Sequence, residues 1–308
     1  MSSPFGSAPF SSESSLEDHM PSSPQHVTVP SLPALNRQSL RSDCSNCFAL
    51  CCTALGFTRS TDFAFDKPAG TPCQNLAPDF SCTIHDRLRP RGFPGCTVFD
   101  CFGAGQNVSQ NLVKDTAWRT DPQARHNLFG AFKIARQLHE MLWHLIEATD
   151  RTYDTDLKAH ATELRITIES TLSGGIHGLL GLEVDGLHGQ VRELLMDVSE
   201  EVRAAYFAHG YEHLRHELVP GADLMGKDFR SQSLCGADLR GAYLIAADLR
   251  ECNLAGVDLL GTDLRDARVH GADLSAALYV TQPQLNAARG NRATCIPSDL
   301  MIPGHWGQ

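Results

Sequence analysis

The chain has 308 residues, a net charge of −10 at pH 7, and only 7% aromatic residues. This length allows two or three domains, and the acidic balance argues against binding of nucleic acid through its phosphates. No apolar run in the sequence approaches the ~20 residues of a membrane span, so we expect no membrane partner.

Residues 1–40 are rich in Ser and Pro, and we predict a disordered tail there. The segment has neither the basic nor the apolar region of a secretory signal. The predicted location is therefore the cytoplasm. Thiols stay reduced in that compartment, and clustered cysteines there serve metal or redox chemistry more often than structural disulfides.

Residues 41–115 are predicted to form a cysteine-cluster metal-binding domain. The spacing begins C-x2-C-x3-C-C, and a C-x2-C pair can bring two thiolates to one ion. The adjacent Cys51 and Cys52 project differently, which suggests a second ion, a bridging role or a cluster. Soft thiolates favour zinc or an iron–sulfur cluster over magnesium or calcium. The candidate metal ligands are Cys44, Cys47, Cys51, Cys52, Cys73, Cys82, Cys96 and Cys101.

This cysteine pattern resembles a bacterial cysteine-cluster family described as zinc- or iron-chelating. The resemblance implies that the matching cysteines bind metal. The chain departs from the family pattern by one extra residue before Cys51 and by His85, which stands where Tyr is usual. His85 is either a ninth ligand or packs as the Tyr would. The alternative for the whole cluster is a disulfide scaffold or a set of unligated core cysteines. The positions that match are Cys44, Cys47, Cys51, Cys52, Cys73, Cys82 and Cys96.

Residues 116–219 are predicted to be helical. An Asp-Pro entry at 121–122 starts a helix with one apolar stripe. His139 and His144 lie five residues apart, so they do not share a helix face as the histidines of a zinc protease do. His213 and His216 are interpreted as solvated helix residues. The Gly-rich stretch 173–186 is predicted to be a loop. The stripe consists of Leu128, Phe132, Ala135, Leu138, Leu142 and Leu145.

Residues 220–280 repeat with a period of five, which neither a helix nor a plain strand has. A small residue stands two positions before most of the large ones, and Asp or Asn often lies between them. A chain that turns a corner every five residues would point both residues inward. The large residues are Leu224, Phe229, Leu234, Leu239, Leu244, Leu249, Leu254, Leu259, Leu264, Val269, Leu274 and Tyr279.

The pattern A-(D/N)-L-x-x resembles the pentapeptide-repeat family, which implies a right-handed quadrilateral β-helix. We predict an α+β multidomain protein that ends in this β-helix. Lys227 occupies an inward small-residue position, so the first coil would be an imperfect cap, and the last predicted helix would close that end. Cys252 should face inward and Cys235 outward. Residues 281–308 are predicted to be a C-terminal cap and tail, with a short helix that has Thr281 as its N-cap.

The functional hypothesis is a cytoplasmic bacterial metal-binding protein, with zinc or an iron–sulfur cluster, whose β-helix binds a protein partner of unknown identity. One alternative is a redox or modifying enzyme that uses an iron or iron–sulfur centre. Another is a DNA mimic of the kind that protects topoisomerases. Three coils at ~4.8 Å each rise only about 14 Å, which is short for a DNA mimic.

Overall fold

The computed structural model describes residues 35–113, 118, 120–208 and 217–307. Residues 36–308 form one compact unit. Within the described residues, no helix is both long and apolar enough to span a bilayer. The helices are α1 (Leu50–Ala54), α2 (Pro94–Thr97), α3 (Ala104–Asn107), α4 (Pro122–Arg151), α5 (Thr155–Ser173), α6 (Gly175–Leu180), α7 (Val184–Ala208) and α8 (Gln282–Ala287).

Helix α4 is the central element of the helical layer. Asp121 caps its N-terminus by accepting a hydrogen bond from Gln123 N at 2.8 Å, and Pro122 follows at the first helical position. All six residues of the predicted apolar stripe are buried. Helices α5, α6 and α7 pack against α4. The prediction of a helical middle segment is therefore confirmed.

The Gly-rich stretch that we expected to be a loop contains α6. This prediction was wrong because Leu179 is fully buried and α6 packs against α4. Tertiary packing thus outweighs the weak intrinsic helix propensity of the glycines. A connection does separate α5 from α6, since Gly175 has a positive φ of 81°.

Residues 221–280 form a stack of four-sided coils, here called the coil stack. Single-residue parallel bridges join residues 20 apart, such as Asp228 to Asp248 and Asp248 to Arg268. Each of the twelve predicted inward residues is at most 2% exposed. The described coils contain isolated bridges and no extended strands. The predicted register is therefore confirmed, and each coil contains four repeat units. The predicted β-helix is not confirmed, because the described coils contain no strands.

The Asp residues of the repeats stabilise the corners of the coils. Asp258 accepts a hydrogen bond from Leu260 N at 2.9 Å, and Asp273 accepts one from Ser275 N at 2.9 Å. Such Asx turns replace backbone hydrogen bonds that a sharp corner cannot make. Lys227 is exposed and pairs with Glu217 at 3.3 Å, so it does not enter the interior of the coil.

The C-terminal segment closes the far end of the coil stack. Thr281 is the N-cap of α8, as predicted, and it forms a capping box with Gln284 that the prediction did not include. Leu285 is fully buried, and the tail continues the bridging pattern through Arg289 and Cys295. This segment therefore covers backbone groups that the last coil would otherwise expose.

Helix α7 packs along one side of the coil stack. Arg203 donates to the carbonyl of Gly236 at 2.9 Å and pairs with Asp238 at 3.3 Å. Two coils further on, Tyr279 donates its hydroxyl to Leu195 O at 3.0 Å. We expected the last helix to close the N-terminal end of the coils. Its described part lies instead against the side of the stack, and residues 209–216 lie outside the described residues.

Gly256 is the point of closest approach between α7 and the coils. A Cβ there would lie 2.0 Å from Tyr206 Cε2, whereas Gly261 has open space at nearly the same φ. We expect Gly261→Ala to cost about 1–2 kcal/mol of unfolding free energy through backbone strain, and Gly256→Ala a further 1–3 kcal/mol or so through overpacking. Thermal and urea unfolding of the two variants measure this difference. Equal losses would contradict the docking of α7.

Asp258 lies fully buried between the coil stack and α7. Burial raises its pKa to about 6, although Leu260 N donates to its Oδ1 at 2.9 Å and Arg240 Nε lies 3.5 Å from its Oδ2. A raised pKa means that the folded state binds the proton more tightly. The folded state therefore loses stability as the pH rises from about 4 to about 6, by up to roughly 3 kcal/mol for this shift.

We expect Asp258→Asn to be more stable than the parent chain at pH 7.5 by about 1–3 kcal/mol. The difference should vanish below about pH 3, where Asp258 is protonated in both the folded and the unfolded state. Asp263→Asn is the matched control, since its ion pair with Arg265 lowers its pKa against the effect of burial. Unfolding free energies at both pH values test this. A pH-independent effect at position 258 would contradict it.

Arg37 connects the N-terminal segment to both the helical layer and the tail. It donates to Trp143 O at 2.9 Å and pairs with Glu147 and Asp299. Leu40 is 1% exposed. Residues 36–40 therefore belong to the folded unit and not to the predicted tail 1–40. Residues 1–34 lie outside the described residues.

Candidate metal centre

Short elements place Cys44, Cys47 and Cys101 near one another. Cys44 opens a 3-10 turn (Cys44–Asn46) whose cap, Asp43, accepts a hydrogen bond from Ser45 N at 3.0 Å. A Cβ on Gly105 would lie 2.8 Å from Cys47 Sγ and 3.4 Å from Cys101 Sγ. Both thiols therefore face the start of α3, and only a glycine allows that helix to come so close.

Cys51 and Cys52 lie side by side on α1, with their sulfur atoms 3.9 Å apart. The hydrogen bond between the two thiols raises the pKa of Cys51 and lowers that of Cys52. Cys52 also accepts the backbone N–H of Cys73 on its carbonyl at 3.0 Å. Helix α1 thus carries two neighbouring thiols and is bonded to the segment of Cys73.

The remaining cysteines approach Cys52 from three separate segments. Cys82 pairs with Leu76 in an antiparallel bridge, and Cys96 lies on α2. Burial, followed by the thiols of Cys52, Cys73 and Cys82, raises the pKa of Cys96 to about 12. These four cysteines are close enough for their charges to interact.

The same electrostatic effects suggest two overlapping sets of cysteines, joined by Cys52, which also acts on Cys44 and whose sulfur lies 3.9 Å from that of Cys51. Burial, followed by the thiols of Cys101 and Cys47, raises the pKa of Cys44 to about 11. The pKa of Cys51 also responds to Cys44 and Cys101. We call Cys44, Cys47, Cys51 and Cys101 the first cysteine group, and Cys52, Cys73, Cys82 and Cys96 the second cysteine group.

All eight cysteines are free thiols, and seven of them are half-buried, while Cys44 is exposed. In the described part of the chain, no three or more His, Cys, Asp and Glu side chains are arranged to hold a metal ion as they stand. The raised pKa values keep Cys44 and Cys96 protonated at neutral pH. A metal would therefore have to draw the thiols together and displace their protons.

Helix α4 supports the loop that carries Cys101. His139 donates from Nδ1 to Phe102 O at 2.7 Å, and Arg136 donates to Asp100 O at 3.0 Å. Burial lowers the pKa of His139 to about 4, so the ring is neutral. His144 is also buried and packs edge-on against Tyr279. Both histidines thus have packing or positioning roles.

The other candidates from the sequence lie apart from the cysteine groups. His85 is exposed, so its predicted packing in place of a Tyr was wrong. His213 and His216 lie outside the described residues. Cys252 faces inward and Cys295 is exposed in the tail, as expected. Cys235 is 1% exposed, because the side of the coil that it occupies is the one that α7 covers.

Two residues of the cluster were not predicted. Gly105 had no distinguishing signal in the sequence, since its role depends on the approach of α3 to two thiols. Lys67 is a buried lysine between Cys52 and Cys73 in the chain, and it is 4% exposed. A single lysine among loop residues resembles any surface lysine, so only the folded chain reveals its burial.

The chain shares sequence over most of its length with a Bacillus subtilis (strain 168) protein, YybG, which is described as uncharacterized. The two are 48% identical over 275 residues, which cover 87% of this chain and 95% of YybG. The chain belongs to the YybG family. Residues 221–250 and 242–278 match the pentapeptide-repeat family in eight copies. The YybG match is long enough to extend beyond these repeats, so the family shares more than the coil stack.

Two solved pentapeptide-repeat structures resemble part of this YybG-family chain. HetL, involved in heterocyst differentiation regulation in Nostoc sp. strain PCC 7120, is 24% identical, with a TM-score of 0.18. The match covers 28% of this chain and 44% of HetL, so it spans less than half of that protein. A thylakoid lumen protein from Arabidopsis thaliana is 27% identical over 27% of this chain and 59% of its own, with a TM-score of 0.14. The resemblance of residues 44–101 to the cysteine-cluster family stays a prediction.

Proposed function

We propose that this pentapeptide-repeat protein binds metal through its eight clustered cysteines, as zinc sites or iron–sulfur centres, and that its coil stack binds another protein. The observation that supports the proposal is that eight free thiols lie within residues 44–101, two of which, those of Cys51 and Cys52, are 3.9 Å apart on α1. Four thiolates are the usual ligand set of both structural zinc and iron–sulfur clusters.

The residues fit such a centre by the chemistry of their thiols, and among the described residues a metal would have to draw those thiols together. Residues 41–103 contain only short helices and isolated bridges, so few regular hydrogen bonds hold the segment together. A bound metal would crosslink it, and metal affinity would then contribute directly to folding stability. The first group would join the 3-10 turn, α1 and the start of α3, and the second group would join α1, α2 and the loops between them.

We further propose that the coil stack is the right-handed quadrilateral β-helix of pentapeptide-repeat proteins and serves for protein interaction, a role typical of such repeats. The 20-residue register supports this. Imitation of DNA is less well supported, because several outward Asp carboxylates are neutralised by Arg residues two positions later. These pairs are Asp228–Arg230, Asp238–Arg240, Asp248–Arg250 and Asp263–Arg265.

Absorption spectroscopy with metal and sulfide analysis of anaerobically purified protein tests the metal proposal. Iron with acid-labile sulfide and visible absorption would identify iron–sulfur centres, and colourless protein with zinc would identify closed thiolate sites. A redox or modifying enzyme would instead require an open coordination position on the metal. Protein that contains neither metal in stoichiometric amount would overturn the proposal.

A further inference from the structure

The 20-residue register assigns each outward residue of the coil stack to one of four sides. Parallel bridges join Asp223 to Tyr243 and Tyr243 to Asp263, so these residues follow one another along a single side. The side that carries Cys235, which α7 covers, is two repeat units away and therefore lies opposite. The side that contains the three bridged residues, here called the Tyr243 side, consists of residues 223–225, 243–245 and 263–265.

The corners of the Tyr243 side are open in the described part of the chain. A Cβ on Gly226, Gly241 or Gly261, which lie at these corners, would meet no atom within 4 Å. The same atom on Gly256, at a corner of the side that α7 covers, would lie 2.0 Å from Tyr206 Cε2. Helix α7 therefore covers one part of the stack and leaves the Tyr243 side open.

The Tyr243 side presents apolar side chains to solvent. Met225 is 52% exposed and Tyr243 is 50% exposed, and they are the two exposed large apolar residues of the described coils 221–280. Ile245 is half-buried. Leu224 N donates to Tyr243 O at 2.9 Å and Gly226 N donates to Ile245 O at 2.9 Å, so the paired coils hold these side chains next to one another. Adjacent exposed apolar residues on a fixed backbone are a feature of interaction sites.

The two neighbouring sides are less suited to an apolar partner. On one of them Arg230 pairs with Asp228 at 2.7 Å, and the next coil repeats this pair at 2.7 Å. A partner that covered these ion pairs would remove them from water, which costs free energy. The other neighbouring side carries Asp238, which pairs with Arg203 of α7 at 3.3 Å. The Tyr243 side is therefore the one that an apolar side chain of a partner can cover at the lowest cost.

The size of the Tyr243 side favours a short segment over the broad surface of a second folded protein. Three coils rise only about 14 Å at ~4.8 Å each. A standard interface between folded proteins buries about 800 Å² on each partner, which is more than one such side offers. An extended chain rises ~3.3 Å per residue, so about four or five residues would cross the side.

The charge of the Tyr243 side favours a basic segment. Asp223 accepts a hydrogen bond from Met225 N at 3.2 Å, and no cation of the described residues pairs with it. Asp263, two coils further on, instead pairs with Arg265 at 2.6 Å. Asp223 lies directly beside Tyr243 across the bridge between the coils. A Lys or Arg next to an apolar residue of the partner is therefore placed to reach Asp223.

We propose that the Tyr243 side binds a short extended segment of a partner protein that carries a large apolar side chain next to Lys or Arg. This inference rests on the proposed role of the coil stack in protein interaction, and it names the side and the chemistry of the partner. The apolar side chain packs against Met225, Tyr243 and Ile245, and the cation pairs with Asp223. Exposed tyrosines are among the residues that contribute most to such contacts.

The test uses the full chain as the target for a displayed library of random seven-residue peptides. Peptides enriched on the parent chain are synthesised, and their dissociation constants are measured by fluorescence anisotropy. We expect them to combine an aromatic or aliphatic residue with Lys or Arg, and Tyr243→Ser to bind them about 10-fold more weakly. Arg230→Ser, on the neighbouring side, is the matched control and should bind as the parent does.

A second variant tests the charge. Asp223→Asn keeps the acceptor for Met225 N and removes the charge, so it should weaken binding about threefold, and it replaces Tyr243→Ser if that variant does not fold. Parent-like binding by Asp223→Asn, or enrichment of acidic residues or of no peptide at all, overturns the inference.

The same measurements separate the choice of side from the role of the coil stack. Peptides that bind Tyr243→Ser as tightly as the parent but are lost from Arg230→Ser overturn the choice of side and leave the proposed role of the coil stack in place. Peptides that bind the parent and all three variants equally overturn that role as well.

Discussion

Leu249→Asp is expected to unfold the coil stack at temperatures where the parent chain is stable. Leu249 is 1% exposed, and the equivalent residues of the coils before and after it, Phe229 and Val269, are fully buried. A carboxylate at this position would have neither water nor a cation to stabilise it. We expect a loss of roughly 4 kcal/mol or more in unfolding free energy.

Asp248→Ala is the matched control one residue earlier. On the outside of the coil, Asp248 accepts the backbone N–H of Arg250 at 3.3 Å and pairs with Arg250 at 2.7 Å and Arg268 at 3.5 Å, and each such surface ion pair contributes about 1 kcal/mol or less. Circular dichroism and urea unfolding of the two variants measure the difference. Similar losses at positions 248 and 249 would contradict the assignment of inward and outward residues.

Replacement of both Cys44 and Cys47 by Ser is expected to remove the metal of the first cysteine group. The bound metal should fall to about half of the parent value if each group holds one centre, and the melting temperature should fall with it because metal affinity contributes to folding. Metal analysis together with thermal unfolding measures both effects.

The control for the cysteine variants is Cys295→Ser, since Cys295 is exposed in the tail. Cys235 is unsuitable as a control because it is buried on the side of the coil that α7 covers. Retention of the full parent metal content in the Cys44 and Cys47 double variant would mean that these cysteines are not ligands.

Much of the coil stack could be predicted from the sequence because its period of five determines which residues face inward. The side that α7 covers was missed, although the sequence contains a signal for it. Directly after the inward residue that side carries Cys235, Ala255 and Ser275, whereas at the same place the other sides carry larger residues such as Arg240, Arg250 and Leu260. Small outward residues every 20 positions therefore mark a covered side, and Cys235 belongs to that side.

The candidate site was predictable in composition and not in arrangement. Cysteine spacing identified the eight thiols and suggested that Cys51 and Cys52 serve different ions. It could not group the single cysteines, because Cys73 and Cys82 lie outside helices and Cys96 lies on the four-residue α2, none of them within a local pattern. The burial of Lys67 and the role of Gly105 depend on contacts between distant segments, which a local motif does not encode.

Metal-edge X-ray absorption spectroscopy of the protein purified without oxygen tests the central claim most directly, because it reports the atoms bound to the metal. We predict a first shell of sulfur, at the ~2.3 Å typical of zinc–thiolate bonds if the metal is zinc. Loss of Cys44 and Cys47 should remove about half of the absorbing metal and leave the rest bound to sulfur. A shell of nitrogen or oxygen ligands would contradict the account, and so would the absence of a bound metal.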